Sequence, residues 1–331
     1  MSVKVAFIGS GNIVEQVHAP ILSRMEQVDI VAFSDIVLDK AKNLSEKYDS
    51  RAYDNHLKML DKEKLDAVYI CLPTKAHGQV ELDVIQSDIP FLVEKPVAGD
   101  LETAQKIDSA LRSKNIFAAS GYMFRYLPIV QKLKQCVNNR KIGLITGYYY
   151  TPFIDVPNWY RKEISGGPAL EMVTHIYDLA LYIGGDVAEV YARSYTGINK
   201  AKRQDCTIED MLAATITFTS GTLGNLQQAH TLPPETVTNG QIHLEAFADG
   251  LWGQLTLTLD ERELVIKTET LEEQKDDADP YIIQNTTFIN AVQTKDLTKI
   301  KTPYSDAIES LKLSLAIYDS VKTGQPVKLK K

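Results

Sequence analysis

Val3-Lys4-Val5-Ala6-Phe7-Ile8-Gly9-Ser10-Gly11-Asn12-Ile13-Val14 is the stretch on which the reading of this chain turns. An apolar run, Lys4 to Ile8, ends at Gly9, and a helical pattern starts within a few residues. Apolar residues in succession, rather than in alternation, fit a strand covered by helices on both faces. Gly9 permits the tight turn and Gly11 lets a pyrophosphate approach the helix N-terminus, so Gly9, Ser10, Gly11, Asn12 and Ile13 form a candidate dinucleotide cradle. Val14 stands where the fingerprint has its third glycine. Asp35 closes the next apolar run, roughly 20 residues on, where an acidic side chain accepts from ribose hydroxyls. NAD is the expected cofactor, because a 2′-phosphate would meet a like charge there; Lys40 and Lys42 keep NADP open.

Outward from this stretch, short apolar runs alternate with amphipathic segments as far as residue 121. The strands expected are Lys4 to Ile8, Ile30 to Ser34, Ala67 to Cys71, Phe91 to Val93 and Ile116 to Ala119. Asp39 to Tyr48, Gln79 to Gln86 and Leu101 to Lys114 show helical periodicity. The fold class is therefore α/β, a dinucleotide-binding Rossmann domain over residues 1–121. Residues 122–331 change texture. Helices at Pro128 to Val137 and Ala169 to Ile183 precede strand-like runs at Ala188 to Tyr195, Met211 to Phe218, Thr222 to Gln228, Ile242 to Phe247, Leu251 to Leu259 and Leu264 to Lys267. Strands in succession predict an antiparallel sheet, hence an α+β second domain. Glu272 to Asp279 reads as an acidic exposed loop, and a last helix spans residues 305–321, free to pack back on the first domain.

Composition bounds the function. With 44% hydrophobic and 24% charged residues the chain is of ordinary globular balance, and 331 residues favour two domains. A net charge of −7 argues against nucleic acid, and the basic tail Lys328 to Lys331 reads as a solvated end. Cys71, Cys136 and Cys206 form neither a disulfide framework nor a metal cluster, and no signal or membrane segment is seen, so a cytoplasmic, metal-free protein is expected. Between Met211 and Ala229, and again from Gly250 to Leu259, no residue is charged. Neither face of these strands looks made for water, which predicts a homodimer or homotetramer through this sheet.

Three further signals carry chemistry. Glu94-Lys95-Pro96 follows the strand Phe91 to Val93, at the strand end where open α/β sheets bind ligands, and Pro96 holds Lys95 extended. Cys71-Leu72-Pro73-Thr74, with His77, closes another strand in the same way; Cys71 reads as a small buried hydrophobe rather than a reactive thiol. In the second domain, one helix after Pro168 would set Glu171, His175 and Asp178 on a shared face opposite Val173, Ile176 and Ala180. By pattern alone that face is either solvated or functional.

Together these motifs resemble the glucose-fructose oxidoreductase and inositol dehydrogenase family. The resemblance rests on the early glycine turn, Pro73-Thr74 with His77, Glu94-Lys95-Pro96, Gly121-Tyr122 with Arg125 and Pro128, the Ile142-Gly143 turn, and Gly166-Gly167 followed by His175 and Asp178. It implies a second domain with a large open sheet, an active site in the cleft between the domains, and catalytic roles for Lys95, Glu171 and His175. It also implies NAD(P)-dependent hydride transfer at a carbinol carbon of a sugar, cyclitol or related small molecule. Arg125, Trp159, Arg161 and Asp178 are secondary substrate candidates, Trp159 being equally readable as a core or interface aromatic. Two departures stand out: Glu171 where many members carry Asp, and Pro168 where a third glycine is common, so substrate identity is not carried over. An NAD-assisted glycoside hydrolase and a non-catalytic NAD(P)-binding regulator are the alternatives, and retention of Lys95, Glu171 and His175 argues against the regulator.

Overall fold

The computed structural model describes residues 2–235, 240–258 and 262–329. Leu259, the end of one expected strand, and Lys330 and Lys331 of the basic tail lie outside the described residues. Contacts divide the chain into two compact units: Met1–Met123 with Asp279–Ile308, and Phe124–Ala278 with Glu309–Lys331.

The first unit is built on six parallel strands, β1 (Val3–Ile8), β2 (Val28–Ser34), β3 (Arg51–Tyr53), β4 (Ala67–Ile70), β5 (Phe91–Val93) and β6 (Ala118–Ser120), in the order β3-β2-β1-β4-β5-β6. The order reverses direction at β1, so the Gly9 turn sits at the switch point where such sheets take ligands. Helices α1 (Leu38–Lys47), α2 (Gln79–Gln86) and α3 (Leu101–Lys114) connect the strands. The last is capped by Asp100, whose carboxylate accepts from the Thr103 N–H at 2.8 Å. Strand residues such as Phe7, Phe33 and Tyr69 are fully buried, each worth roughly 1.5–3 kcal/mol of hydrophobic stabilisation for a side chain of that size. Phe288, Ile289 and Val292 of a returning segment complete this core.

The second unit carries a nine-stranded sheet: β7 (Ile142–Pro152), β8 (Val187–Tyr195), β9 (Met211–Phe218), β10 (Leu223–Leu232), β11 (Gln241–Ala248), β12 (Leu251–Leu257), β13 (Arg262–Lys267), β14 (Leu271–Lys275) and β15 (Val327–Lys328). Their order is β14-β13-β12-β11-β7-β10-β9-β8-β15. Only β7 and β10 pair in parallel; the other pairs among the described residues are antiparallel. One face is covered by α4 (Pro128–Val137) and the helices that follow, with Leu133, Ile176 and Ala180 in a core shared with Ile145, Leu226 and Leu244. The other face stays open. It presents Met211, Leu223 and Phe247 as exposed apolar side chains, beside a Tyr148–Tyr150 stack at 4.1 Å between ring centroids.

Beyond elements that the pattern did not mark, such as the strand Arg51–Tyr53 and the helix Pro280–Thr294, the structure departs from the expected elements in three places. The pattern marks only a turn at Ile142-Gly143 where the structure has the central strand β7, because Gly143, Gly147 and three successive tyrosines, Tyr148 to Tyr150, blur its alternation. Part of the acidic segment expected as a loop is β14, a charged, exposed strand of the kind that protects a sheet edge from further pairing. The single helix expected over Ala169 to Ile183 is two, α5 (Pro168–Glu171) and α6 (Thr174–Gly184), separated where the Val173 N–H reaches back to the Pro168 carbonyl at 2.8 Å. That widened turn interrupts the helical register between Glu171 and His175. Nor is the polar face of α6 solvated, since His175 and Asp178 are 7% and 2% exposed.

Candidate active site

In the first unit, Gly9 adopts φ +92°, and a Cβ there would lie 2.1 Å from the Cys71 carbonyl oxygen. Only glycine satisfies both demands. A Cβ at Gly11 would meet nothing within 4 Å, so the turn opens outward beside it. The Gly11 carbonyl accepts from Val14 and Glu15 at 3.0 and 3.1 Å, which starts the helical run with its N–H groups facing the turn. Asp35 ties the turn down: its two carboxylate oxygens accept from the Ser10 and Val37 N–H groups at 2.9 and 2.8 Å. The Ser10 hydroxyl is buried with no partner among the described residues. Ser10, Gly11 and Asn12 line a pocket with Glu15, Lys40, Asn43 and Leu44. Ile13 packs inward on the core instead. An orphaned hydroxyl, an open glycine turn and a fixed carboxylate fit the pyrophosphate and ribose of a dinucleotide.

The strand ends supply the rest of this half. Burial and the nearby Glu94 push the Cys71 thiol well up, which keeps it a protonated hydrophobe. Leu72 and Pro73 lead into a short turn, Thr74–Ala76, with Thr74 buried. His77 Nδ1 meets Glu81 Oε1 at 2.6 Å, the other Glu81 oxygen accepts from the Gly78 N–H, and His77 Nε2 has no partner among the described residues.

Glu94 is anchored by a residue that sequence reasoning passed over. His18, fully buried, sets Nε2 at 3.0 Å from Glu94 Oε1 and Nδ1 at 3.1 Å from Asn285 Oδ1. The Asn285 amide is oriented by donation to the Tyr281 carbonyl at 2.7 Å. Glu94 Oε2 in turn accepts from the Lys95 N–H at 3.1 Å. A Cβ at Gly121 would crowd the Glu94 carboxylate at 2.7 Å, which explains a glycine there. The backbone bearing the half-buried Lys95 is thus pinned from inside the unit.

In the second unit, Glu171 lines a cavity with His230 and an apolar wall of Ile154, Trp159, Pro168, Met172 and Ile208. Trp159 is 37% exposed, at the surface rather than in the core. His175 packs edge-on against Phe124, ring centroids 5.3 Å apart. Arg125 and Asp178 face each other as a buried bidentate pair, with Nε–Oδ2 at 2.8 Å and Nη2–Oδ1 at 2.7 Å, and Ser310 donates to the same carboxylate. Arg161 pairs with Asp205 at the surface.

His230 was also missed by sequence reasoning. Burial lowers its pKa to about 4, so it is a neutral imidazole at physiological pH. Between about pH 6.5 and 4 the unfolded chain takes up a proton here that the folded chain refuses, so stability falls as pH falls. The loss reaches about 3 kcal/mol by pH 4 from this residue alone. Urea midpoints taken from pH 7.5 to pH 4.5 should fall less steeply in His230→Gln than in the parent; parallel slopes would refute this account.

Comparison with known proteins agrees with this architecture. A model described as the Gfo/Idh/MocA oxidoreductase family, NAD-binding Rossmann fold, matches residues 3–122, and one for the Gfo/Idh/MocA C-terminal domain matches residues 130–249. The D-glucoside 3-dehydrogenase of Escherichia coli (strain K12) is 26% identical over 346 residues, covering 98% of this chain and 97% of its own. The myo-inositol 2-dehydrogenase of Thermotoga maritima is 26% identical over 230 residues, 67% of this chain and 66% of its own. Among solved structures, the WlbA dehydrogenase of Bordetella pertussis, in complex with NADH and UDP-GlcNAcA, superposes with a TM-score of 0.84 at 18% identity over 100% of both chains. No helix among the described residues is long and apolar enough to cross a membrane.

Proposed function

Because this chain belongs to the Gfo/Idh/MocA oxidoreductase family, with an NAD-binding Rossmann domain, we propose that it moves hydride between nicotinamide and a carbinol carbon of a sugar, cyclitol or related polyhydroxylated molecule. The observation that carries this reading is the cavity of the second unit, where the Glu171 carboxylate and a neutral imidazole face an apolar wall with Trp159. A hydroxyl-rich ring has one edge for the polar groups and one face for the indole. The dehydrogenases of glucosides and inositol named above support the substrate class.

The bound nicotinamide supplies the hydride acceptor or donor. His175 takes the hydroxyl proton as general base and returns it in the reverse direction. Lys95, on its pinned backbone, favours the alkoxide-like oxygen. Glu171, in the same unit as His175, orients and tunes that base. A screen of sugars and cyclitols for NADH absorbance tests the proposal: absorbance growth with at least one supports it. Cleavage of a glycoside without net NADH formation would replace it with the hydrolytic alternative.

NAD is the proposed cofactor in preference to NADP. Asp35 is held by two backbone N–H groups and keeps acceptor capacity for ribose hydroxyls, whereas a 2′-phosphate would meet its charge. The ratio of kcat/KM for NAD over NADP should fall roughly 10-fold or more in Asp35→Ala, since like-charge contact at a recognition site costs several kcal/mol. An unchanged ratio would remove Asp35 from cofactor choice, leaving Lys40 to be examined.

Association of identical copies through the open face of the nine-stranded sheet is the proposed assembly. Its exposed Met211, Leu223 and Phe247 and the uncharged strands around them favour a partner over water. Light scattering should give at least twice the 37.0 kDa of one chain at micromolar concentration; a monomer would exclude it.

A further inference from the structure

His230 sits on β10, between β7 and β9, in a fully committed backbone: its N–H donates to the Asp210 carbonyl at 2.8 Å and its carbonyl accepts from Asn199 Nδ2 at 3.0 Å. The side chain is 3% exposed, and Nδ1 lies 2.8 Å from the hydroxyl of Thr151, itself fully buried. Nε2 is left with no partner among the described residues, while the ring lines the cavity that holds Glu171 and Trp159. Gln228, two residues earlier on the same strand face and 2% exposed, likewise has neither Nε2 nor Oε1 satisfied among the described residues. Buried polar atoms without partners are costly, so the His230 Nε2, on a ring that lines the cavity, is placed to meet a polar group from elsewhere.

We propose that His230, oriented by Thr151, is a specificity-determining residue that hydrogen-bonds one hydroxyl of the substrate while the substrate ring lies against Trp159. This rests on the function proposed above and narrows its substrate class. Whichever tautomer the Thr151 contact selects, Nε2 offers a single donor or a single acceptor. A hydroxyl matches either, because it is both; a carboxylate or phosphate matches only one. Among the described residues no Lys or Arg lines the cavity, and Glu171 does, so an anionic group is disfavoured and a hydroxylated part of the substrate suits it. His230 touches the substrate in this scheme without exchanging protons with it, being neutral throughout the working pH range.

The test uses the full chain with NAD and four probes, myo-inositol, D-glucose, methyl α-D-glucopyranoside and D-glucuronate, read by calorimetric binding and by NADH absorbance. The probe bound most tightly is then compared with its monodeoxy derivatives. In the parent protein, removal of one particular hydroxyl should weaken binding roughly 10-fold or more, the effect of stranding a buried polar group. In His230→Leu the intact probe should weaken by a similar factor, with kcat changed less than KM, and that hydroxyl should become silent. His230→Gln, whose amide nitrogen reaches near the Nε2 position, should recover part of both effects and guards against a folding defect in the leucine variant. Unaltered binding in His230→Leu overturns the assignment, and so does uniform weakening that leaves the deoxy pattern of the parent intact. His230-dependent binding without NADH formation would uphold the assignment and remove the dehydrogenase reading. Neither binding nor oxidation of any probe by the parent protein would overturn both.

Discussion

His175→Ala and Lys95→Ala should each lower kcat by roughly 10²-fold or more at saturating substrate, the usual cost of removing a positioned acid/base or an electrostatic stabiliser. Loss of hydride from an alcohol carbon requires the hydroxyl proton to leave, and near neutral pH imidazole is the side chain whose intrinsic pKa suits that transfer. His175 is packed against Phe124 with little freedom to swing away, so its loss removes an oriented base. Lys95 acts differently. Its charge is worth more to a developing alkoxide than to a neutral hydroxyl, so its loss falls on turnover more than on substrate binding. NAD affinity should change little in His175→Ala, because the pyrophosphate cradle is made by residues of the first unit. Both roles serve one proton-and-charge step, so the double variant should lose less than the product of the single losses. Near-normal turnover of His175→Ala between pH 6 and 9 would take the residue out of the mechanism.

What could be read in the sequence was what the chain encodes locally. The turn at Gly9, the α3 helix from Leu101 to Lys114 and strand β9 from Met211 to Phe218 depend on periodicity and turn residues within a dozen positions, and each stands where the pattern put it. The central strand β7 was lost because its neighbours β10 and β11 are distant in sequence and its own alternation is blurred by glycines and tyrosines. The site divides in the same way. Lys95 and Glu94 were visible as a charged pair at a strand end, yet the group that pins them comes from His18 and Asn285, separated by 76 and 267 positions from their partners in this network. His230 left a fainter trace. The inward positions of β10 run Gly224, Leu226, Gln228, His230, so two polar residues occupy places where a covered sheet face calls for apolar ones. A polar residue at such a position is either a structural hydrogen-bonding group or a ligand contact, and only the Thr151 contact and the cavity distinguish them.

Arg125 and Asp178 present the opposite case, two residues conspicuous in sequence that the structure turns toward each other. With side chains 4% and 2% exposed, they form two parallel charge-assisted hydrogen bonds, and Ser310 fills a further acceptor site of the carboxylate at 2.9 Å. The guanidinium also lies over the Tyr182 ring, 4.8 Å from its centroid. Replacing Asp178 with Ala takes the bidentate carboxylate away from a buried guanidinium, and should cost roughly 3–5 kcal/mol of stability. Removing both charges is a different experiment. Arg125→Met with Asp178→Leu exchanges the pair for apolar groups of comparable volume, and should recover most of that loss, because neither partner is left stranded. Urea unfolding of the cofactor-free protein, with the two single variants and the double variant compared, measures both outcomes. A pair that holds α6 in place predicts large single losses, strong coupling in the double-mutant cycle and a kcat that follows folded fraction. A pair that contacts substrate predicts instead that Asp178→Ala raises KM with its unfolding midpoint unchanged, and that result would return both residues to the list of substrate ligands.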